Sequence, residues 1–279
     1  MVSKQPSTTN TNKTINPAWQ RVVIKVGTST IVDSDGRVKY PVINQLSQVI
    51  STLSRDGYQV ILVTSGAIGV ALDQLGLTKR PTDIPSQQAL AALGQGYLMT
   101  IYNQSMALYR QKTGQVLLTY DVFNNPQMLR HMQEALEVML DNHIVPIVNE
   151  NDVIAVDEMD HQHSFGDNDK LAAMLALAVK AQGLIILSDV DGLYTANPNL
   201  DSNAQQITRV TKIDQVIRKL AGGSESGLGT GGMITKLNAA ELMVNHKAKM
   251  VLIDGQFPER IMQVIADEPI GTRFQAEEK

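Results

Sequence analysis

Short apolar runs, each followed by a longer stretch with helical spacing, recur along the chain. The runs are residues 21–26 (RVVIKV), 59–63 (QVILV), 115–119 (QVLLT), 144–148 (IVPIV), 184–187 (LIIL) and 249–253 (KMVLI). They are nearly continuous in apolar residues and rich in β-branched ones, as strands buried on both faces are. Helix-length segments lie between them at 41–55, 87–110, 126–142 and 169–181. This alternation predicts an α/β fold, a three-layer αβα sandwich around a mostly parallel central sheet.

What ends the runs differs from what fills them. RVVIKV leads into Gly27-Thr28-Ser29, QVILV into Thr64-Ser65-Gly66-Ala67, IVPIV into Asn149-Glu150-Asn151-Asp152, and LIIL into Ser188-Asp189. Any one of these is an ordinary turn, since Gly, Ser, Asn and Asp favour turns. Four together on one sheet edge describe a ligand site, because open α/β sheets bind ligands outside the carboxyl ends of their strands.

The remaining bulk properties narrow the class. The first sixteen residues, MVSKQPSTTNTNKTIN, are polar and lack the apolar core of a signal peptide, so residues 1–16 are expected to be a disordered tail. No apolar run reaches the ~18 residues of a membrane-spanning helix. A net charge of −4 offers no bulk attraction to nucleic acid or an anionic membrane. The absence of cysteine excludes disulfides, thiolate catalysis and zinc–thiolate sites. A soluble, cytoplasmic protein is expected.

The chemistry concentrates near the C-terminus. In the stretch SGLGTGGMITK, residues 226–236, Gly227 and Gly232 have the spacing of a phosphate-binding P-loop, but Met233 and Ile234 stand where Lys and Ser/Thr belong. Gly227, Gly229 and Gly232 match the dinucleotide pattern, with Asp254 at a suitable distance for a ribose. That pattern needs a strand immediately before it, whereas TKIDQVIRKL reads as a helix. Glycines leading into MITKLNAAELMVNHKA, with apolar Met233, Leu237, Ala240 and Val244, instead offer free N–H groups to an anion at a helix start. Lys236 in the first turn suggests the same anion.

Lys25 interrupts an apolar strand, where an unpaired ammonium is costly to bury. An edge strand or a snorkelling side chain would explain it, as would a ligand phosphate, which Gly27 would let approach the backbone. The segment Gly166-Asp167-Asn168-Asp169-Lys170 precedes a buried helix and supplies more acceptors than one cap requires. His161 and His163 upstream form no coherent metal-ligand set.

Together and in this order, VIKVGTS, VTSGAIG, IVPIVNENDVIAV, GDNDKLAA, LSDVDGLYT and GLGTGGMITK resemble the amino acid kinase family, from about residue 21 to about 274. The pairing of NEND with GDND, followed by GTGGM-x-TK, resembles the branch whose acceptor is L-glutamate. The resemblance implies a single domain over residues 17–274, followed by a short tail at 275–279. The part up to about residue 168 would bind mainly glutamate and the remainder mainly ATP. It implies transfer of the γ-phosphoryl group of ATP to the glutamate side-chain carboxylate, the first step of proline biosynthesis, with Mg2+. By the same resemblance Lys25 and Lys236 contact phosphate and Asp169 holds both lysines. Ser65, Asp152 and Asn168 bind glutamate, with Asp152 suited to its α-ammonium. Ser188, Asp189, Thr230, Gly231, Gly232, Met233, Ile234, Thr235 and Lys236, with Lys25, bind ATP. Metal ligands stay unassigned. A homo-oligomer, dimer or tetramer, and coupling to the next enzyme of the pathway are implied as well, with no nucleic-acid or membrane partner.

A glutamate side-chain carboxylate, with an ordinary pKa of about 4.3, is ionised at neutral pH and needs no general base. Many members of the family carry a further C-terminal domain of the PUA type. This chain ends in AEEK soon after GTRF, which leaves oligomer arrangement and proline feedback open. The competing readings are another amino acid kinase with N-acetylglutamate or aspartate as acceptor, an NAD-dependent oxidoreductase, and a non-catalytic amino-acid sensor.

Overall fold

The computed structural model describes residues 15–155, 168–198, 200–222 and 230–277. A 3-10 turn at Pro17–Trp19 is followed by β1 (Arg21–Val26), α1 (Thr28–Ile31), α2 (Tyr40–Arg55), β2 (Gln59–Val63), α3 (Ala67–Leu75) and α4 (Ile84–Ala107). Then come β3 (Lys112–Leu118), α5 (Asp121–Asn124), α6 (Pro126–Asp141), β4 (Ile144–Glu150), α7 (Asn168–Ala178) and β5 (Gly183–Ser188). A small ribbon pairs β6 (Leu193–Tyr194) with β7 (Gln206–Ile207). The chain closes with β8 (Arg209–Val210), α8 (Gln215–Gly222), α9 (Thr230–Asn245), β9 (Lys249–Asp254), α10 (Arg260–Ile265) and β10 (Thr272–Phe274).

The main sheet runs β3-β4-β2-β1-β5-β9-β10-β8. The first six strands are mutually parallel, and β10 turns antiparallel to β9. Alternation along each strand feeds two cores. Val23, Val63 and Ile186 face one side with residues of α6, α7 and α9. Val22, Ile24 and Leu62 face the other with residues of α2, α4 and α10. This is the expected αβα sandwich.

All six expected strands form, with ends shifted by a few residues. The largest shift is in β3, which starts at Lys112 and stops before Thr119. As an edge strand it alternates exposed and half-buried positions, so its polar first half does not read as a strand. The four polar-ended strands β4, β2, β1 and β5 are neighbours, so their carboxyl ends lie side by side.

Two expectations need correcting. Asn16, assigned to the tail, donates to the Ile265 carbonyl at 2.8 Å and caps the 3-10 turn by accepting from the Ala18 N–H. The tail residues 1–14 lie outside the described residues. Helix α9 begins at Thr230, which places Gly231 and Gly232 within its first turn and moves Lys236 to the second. Its expected apolar face does turn inward, with Leu237, Ala240 and Val244 buried.

Local chemistry sets the elements nearest the site. Gly66, at φ +92°, makes the turn from β2 into α3, and a Cβ there would meet Ile31 Cδ1 at 2.9 Å. Asp83 starts α4 by accepting from the Ser86 N–H at 2.9 Å. Gly94 lets α4 press onto α3, since a Cβ at that position would lie 1.8 Å from the Ala67 carbonyl oxygen. The head of α3 is thereby fixed against the longest helix.

Candidate active site

Lys25 lies two residues after Val23 and so shares its face of β1, toward α7 and α9. β1 is flanked by β2 and β5, which rules out an edge-strand explanation for its lysine. Nor does the side chain snorkel, being only 6% exposed. Its Nζ pairs with Asp169 Oδ1 at 2.6 Å. Lys236 Nζ reaches Asp169 Oδ2 at 3.3 Å and also donates to the Gly232 carbonyl at 3.0 Å. Thr235 Oγ1 donates to the same carboxylate oxygen at 2.9 Å.

Asp169 stands in the first turn of α7, where the macrodipole favours an acid. Burial works to raise its pKa. The two ammonium groups and the hydrogen bonds from Lys25 and Thr235 outweigh burial and hold it at about 2. Two buried cations are thus joined through one carboxylate, a net positive site. Cβ atoms built on Gly27 and Gly232 would lie 3.6 Å from the Lys25 Nζ and 3.9 Å from the Lys236 Nζ, so the backbone beside each ammonium is bare. An anion could approach both charges along glycine.

A second cluster begins at the neighbouring residue. Asn168 is buried, and its Nδ2 lies 2.6 Å from the Thr64 carbonyl, 2.9 Å from Ser65 Oγ and 2.8 Å from Asn149 Oδ1. Asn149 in turn donates to Gln95 Oε1 at 2.8 Å. The Asn168 Oδ1 has no partner among the described residues. A cleft of about 80 Å³ opens here, lined among others by Ser65, Asn149, Asp152, Asn168, Arg80 and the head of α3. Asp152 is half-buried within it; burial pushes its carboxyl up to about 6, and the nearby Arg80 charge opposes that rise.

The structure therefore brings Lys25, Asp169, Lys236 and Thr235 together, with Ser65, Asn168 and Asp152 alongside. Ser188 and Asp189 end β5 next to β1, and Ser188 Oγ donates to Asp189 Oδ1 at 2.9 Å. Met233 packs against the core, while Ile234 is 40% exposed. Gly227 and Gly229 lie outside the described residues, as do His161 and His163. The element before that glycine run is the helix α8, not a strand, and Asp254 accepts the Gln256 N–H as a turn cap. The dinucleotide reading has no structural footing.

Two cleft residues, Asn149 and Arg80, and Gln95, which Asn149 contacts from α4, were not singled out as site residues in the sequence. Asn149 sits in the NEND motif and was visible as part of a polar strand end. Gln95 is a polar residue buried in α4 with no pattern to mark it. Arg80 lies in the polar linker KRPTD, which reads as loop.

A mostly parallel sheet with two buried lysines bridged by an aspartate at its carboxyl edge, beside a small polar cleft, makes a site suited to anions. The chain belongs to the amino acid kinase family, whose sequence profile matches residues 20–254. It is 53% identical over 261 residues to the glutamate 5-kinase of Oenococcus oeni, covering 94% of this chain and 97% of that protein. It is 51% identical to the glutamate 5-kinase of Lactiplantibacillus plantarum, covering 91% and 96%. Among solved structures, UMP kinase from Bacillus anthracis superposes with a TM-score of 0.62 at 15% identity, covering 93% of this chain and 97% of that one. The isopentenyl phosphate kinase of T. acidophilum gives 0.59 at 19%, covering 91% and 99%. At those identities the structural likeness concerns the fold alone. No helix among the described residues is long and apolar enough to cross a membrane.

Proposed function

We propose that this chain is an ATP-dependent glutamate 5-kinase, transferring the γ-phosphoryl group of ATP to the side-chain carboxylate of L-glutamate at the first step of proline biosynthesis. The observation that carries the chemistry is the buried Lys25–Asp169–Lys236 bridge at the edge of the polar cleft. The acceptor carboxylate is already a nucleophile, so catalysis reduces to in-line placement and neutralisation of charge on the transferring group. Lys25 and Lys236 supply that charge from opposite sides, and Asp169 keeps both ammonium groups aimed at one point. Ser65 and Asn168 position the reacting end of glutamate, and Asp152 takes its α-ammonium.

The nucleotide lies over β5, β9 and the head of α9, against Ser188, Asp189 and the run from Thr230 to Lys236. The glutamate pocket is built mainly from the loops after β1, β2 and β4. Among the described residues no three His, Cys, Asp or Glu side chains gather as a metal-ligand set, and Asp169 is committed to lysines. Mg2+ fits as an ion carried on the nucleotide phosphates and water, where it neutralises phosphate charge.

Exposed Leu93 and Tyr97, one turn apart on α4, lie on a helix that contacts the edge strand β3; together they support a homo-oligomer, dimer or tetramer. An acyl phosphate product favours coupling to the enzyme that consumes it. The cytoplasm, where ATP is made available, suits a chain free of cysteine.

The test is ADP release by purified protein with Mg-ATP and L-glutamate, N-acetylglutamate, L-aspartate or no acceptor, with hydroxylamine trapping acyl phosphate. Hydroxamate with glutamate alone, abolished in Lys25→Ala and Lys236→Ala, is expected. Turnover of another acceptor would overturn the substrate assignment and keep the phosphate site.

A further inference from the structure

Glutamate brings three charged groups to the cleft. The side-chain carboxylate meets the lysine bridge and the α-ammonium meets Asp152, which leaves the α-carboxylate without a cation. Lys25 and Lys236 are committed to Asp169 at the phosphoryl end. Among the described residues the cation that lines the cleft is Arg80, in the linker between α3 and α4.

Arg80 is held from one side. Its Nε and one Nη donate to Gln87 Oε1 at 3.0 and 2.6 Å. Gln87 stands in the first turn of α4, whose start is fixed by the Asp83 cap. A guanidinium has five N–H donors, so three remain on its unconstrained side. Its charge reaches Asp152 strongly enough to oppose the effect of burial there. Yet the two close no salt bridge within 4.0 Å, although they line the same cleft. Opposite charges that line one cleft without joining in a salt bridge suit a zwitterion bound between them.

We propose that Arg80 binds the α-carboxylate of the acceptor, so that Arg80 and Asp152 together grip the free amino-acid head group and select for it. The assignment rests on the glutamate reading above. It makes Arg80 a specificity-determining residue: the head group is read as a positive and a negative charge on adjacent bonds, and a derivative lacking either loses one partner. The Gln87 contact preorganises the guanidinium, reducing the ordering required at binding. The competing receptor for the α-carboxylate is the set of free N–H groups at the head of α3, which lines the same cleft.

Kinetics of wild type, Arg80→Gln and Arg80→Lys, with L-glutamate and its α-amide as alternative acceptors, separate these possibilities. The α-amide keeps the reacting carboxylate and the ammonium but has no α-charge. In Arg80→Gln, KM for glutamate should rise roughly tenfold to a hundredfold, the weight of a charge-assisted contact, with kcat within about threefold. Its kinetics with the α-amide should hardly change, so the preference for glutamate collapses; Arg80→Lys should restore part of it. An Arg80→Gln enzyme that keeps the wild-type preference overturns the proposal and points to the head of α3. So does a variant that loses kcat with KM unchanged. A wild-type chain that does not phosphorylate glutamate overturns the underlying reading along with it.

Discussion

Replacing Asp169 by Asn removes the one charge that two buried ammonium groups share. Lys25 and Lys236 are 6% and 9% exposed, so water cannot replace the lost partner without local opening. A carboxyl held at about 2 instead of 3.8 carries about 2 kcal/mol of extra preference for its ionised form, at about 1.4 kcal/mol per pH unit. Leaving a buried charge uncompensated typically costs about 3–5 kcal/mol. The isosteric amide keeps the Thr235 contact, so about 3 kcal/mol of lost stability is the expectation. For a domain of this size that lowers Tm by about 6–12 °C. Calorimetric melts of wild type, Asp169→Asn, Lys236→Met and the double variant measure the coupling. The double variant should be more stable than Asp169→Asn alone, because one stranded ammonium is gone. Mg-ATP should raise the Tm of Asp169→Asn more than that of wild type, since its phosphates meet two unpaired cations, while kcat falls at least tenfold. A melt within about 2 °C of wild type, or single-variant effects that simply add, would refute the shared-charge account.

Asp152 shifts in the opposite sense. Its folded pKa of about 6 lies above the unfolded 3.8, so the charged form penalises folding fully above about pH 6 and not at all below about pH 4. Asp152→Asn should therefore stabilise the protein by about 1–2 kcal/mol at pH 8, after discounting for partial exposure, and by nothing at pH 4, as read by denaturant unfolding. The same variant should raise KM for glutamate about tenfold or more, a trade of function for stability. In the wild type, KM for glutamate should climb as pH falls through about 6, because protonation removes the partner of the α-ammonium. Gly94→Ala should cost more than about 2 kcal/mol and weaken glutamate binding, since its Cβ would sit 1.8 Å from the Ala67 carbonyl oxygen and push the head of α3 away. Thermal melts and glutamate titration of that variant test both halves.

The central strands were legible because a strand covered on both sides must be apolar almost throughout, as in β1 and β5. Their polar ends were legible for the complementary reason that, Lys25 apart, little that is polar interrupts such runs. The two-residue β8 and three-residue β10 were not, being too short to carry a period, and neither was the reversal of direction between β9 and β10. Helix α4 is apolar on the side that packs and partly apolar on the side that does not, so its pattern gives a helix without a face. Lys25 announced itself by its cost, and the structure shows that cost offset by an aspartate far along the chain. Arg80 had no such signal, because a charged residue in a polar linker looks the same whether or not it faces a cleft.

The order of the sheet carries a consequence for how the chain is made. Among the described strands β1 is made first, yet it finishes in the middle, between β2 and β5. Its β2 side can pair early, within the first 63 residues. The other side waits for Gly183–Ser188, so a largely apolar strand presents an open edge while more than a hundred further residues are synthesised. At about 5–20 residues per second that interval is on the order of 10 s. An unpaired edge of this kind is where a nascent chain meets others of its kind or a chaperone. Lys25, projecting from that same strand with its aspartate not yet made, places a charge on a face that would otherwise invite aggregation.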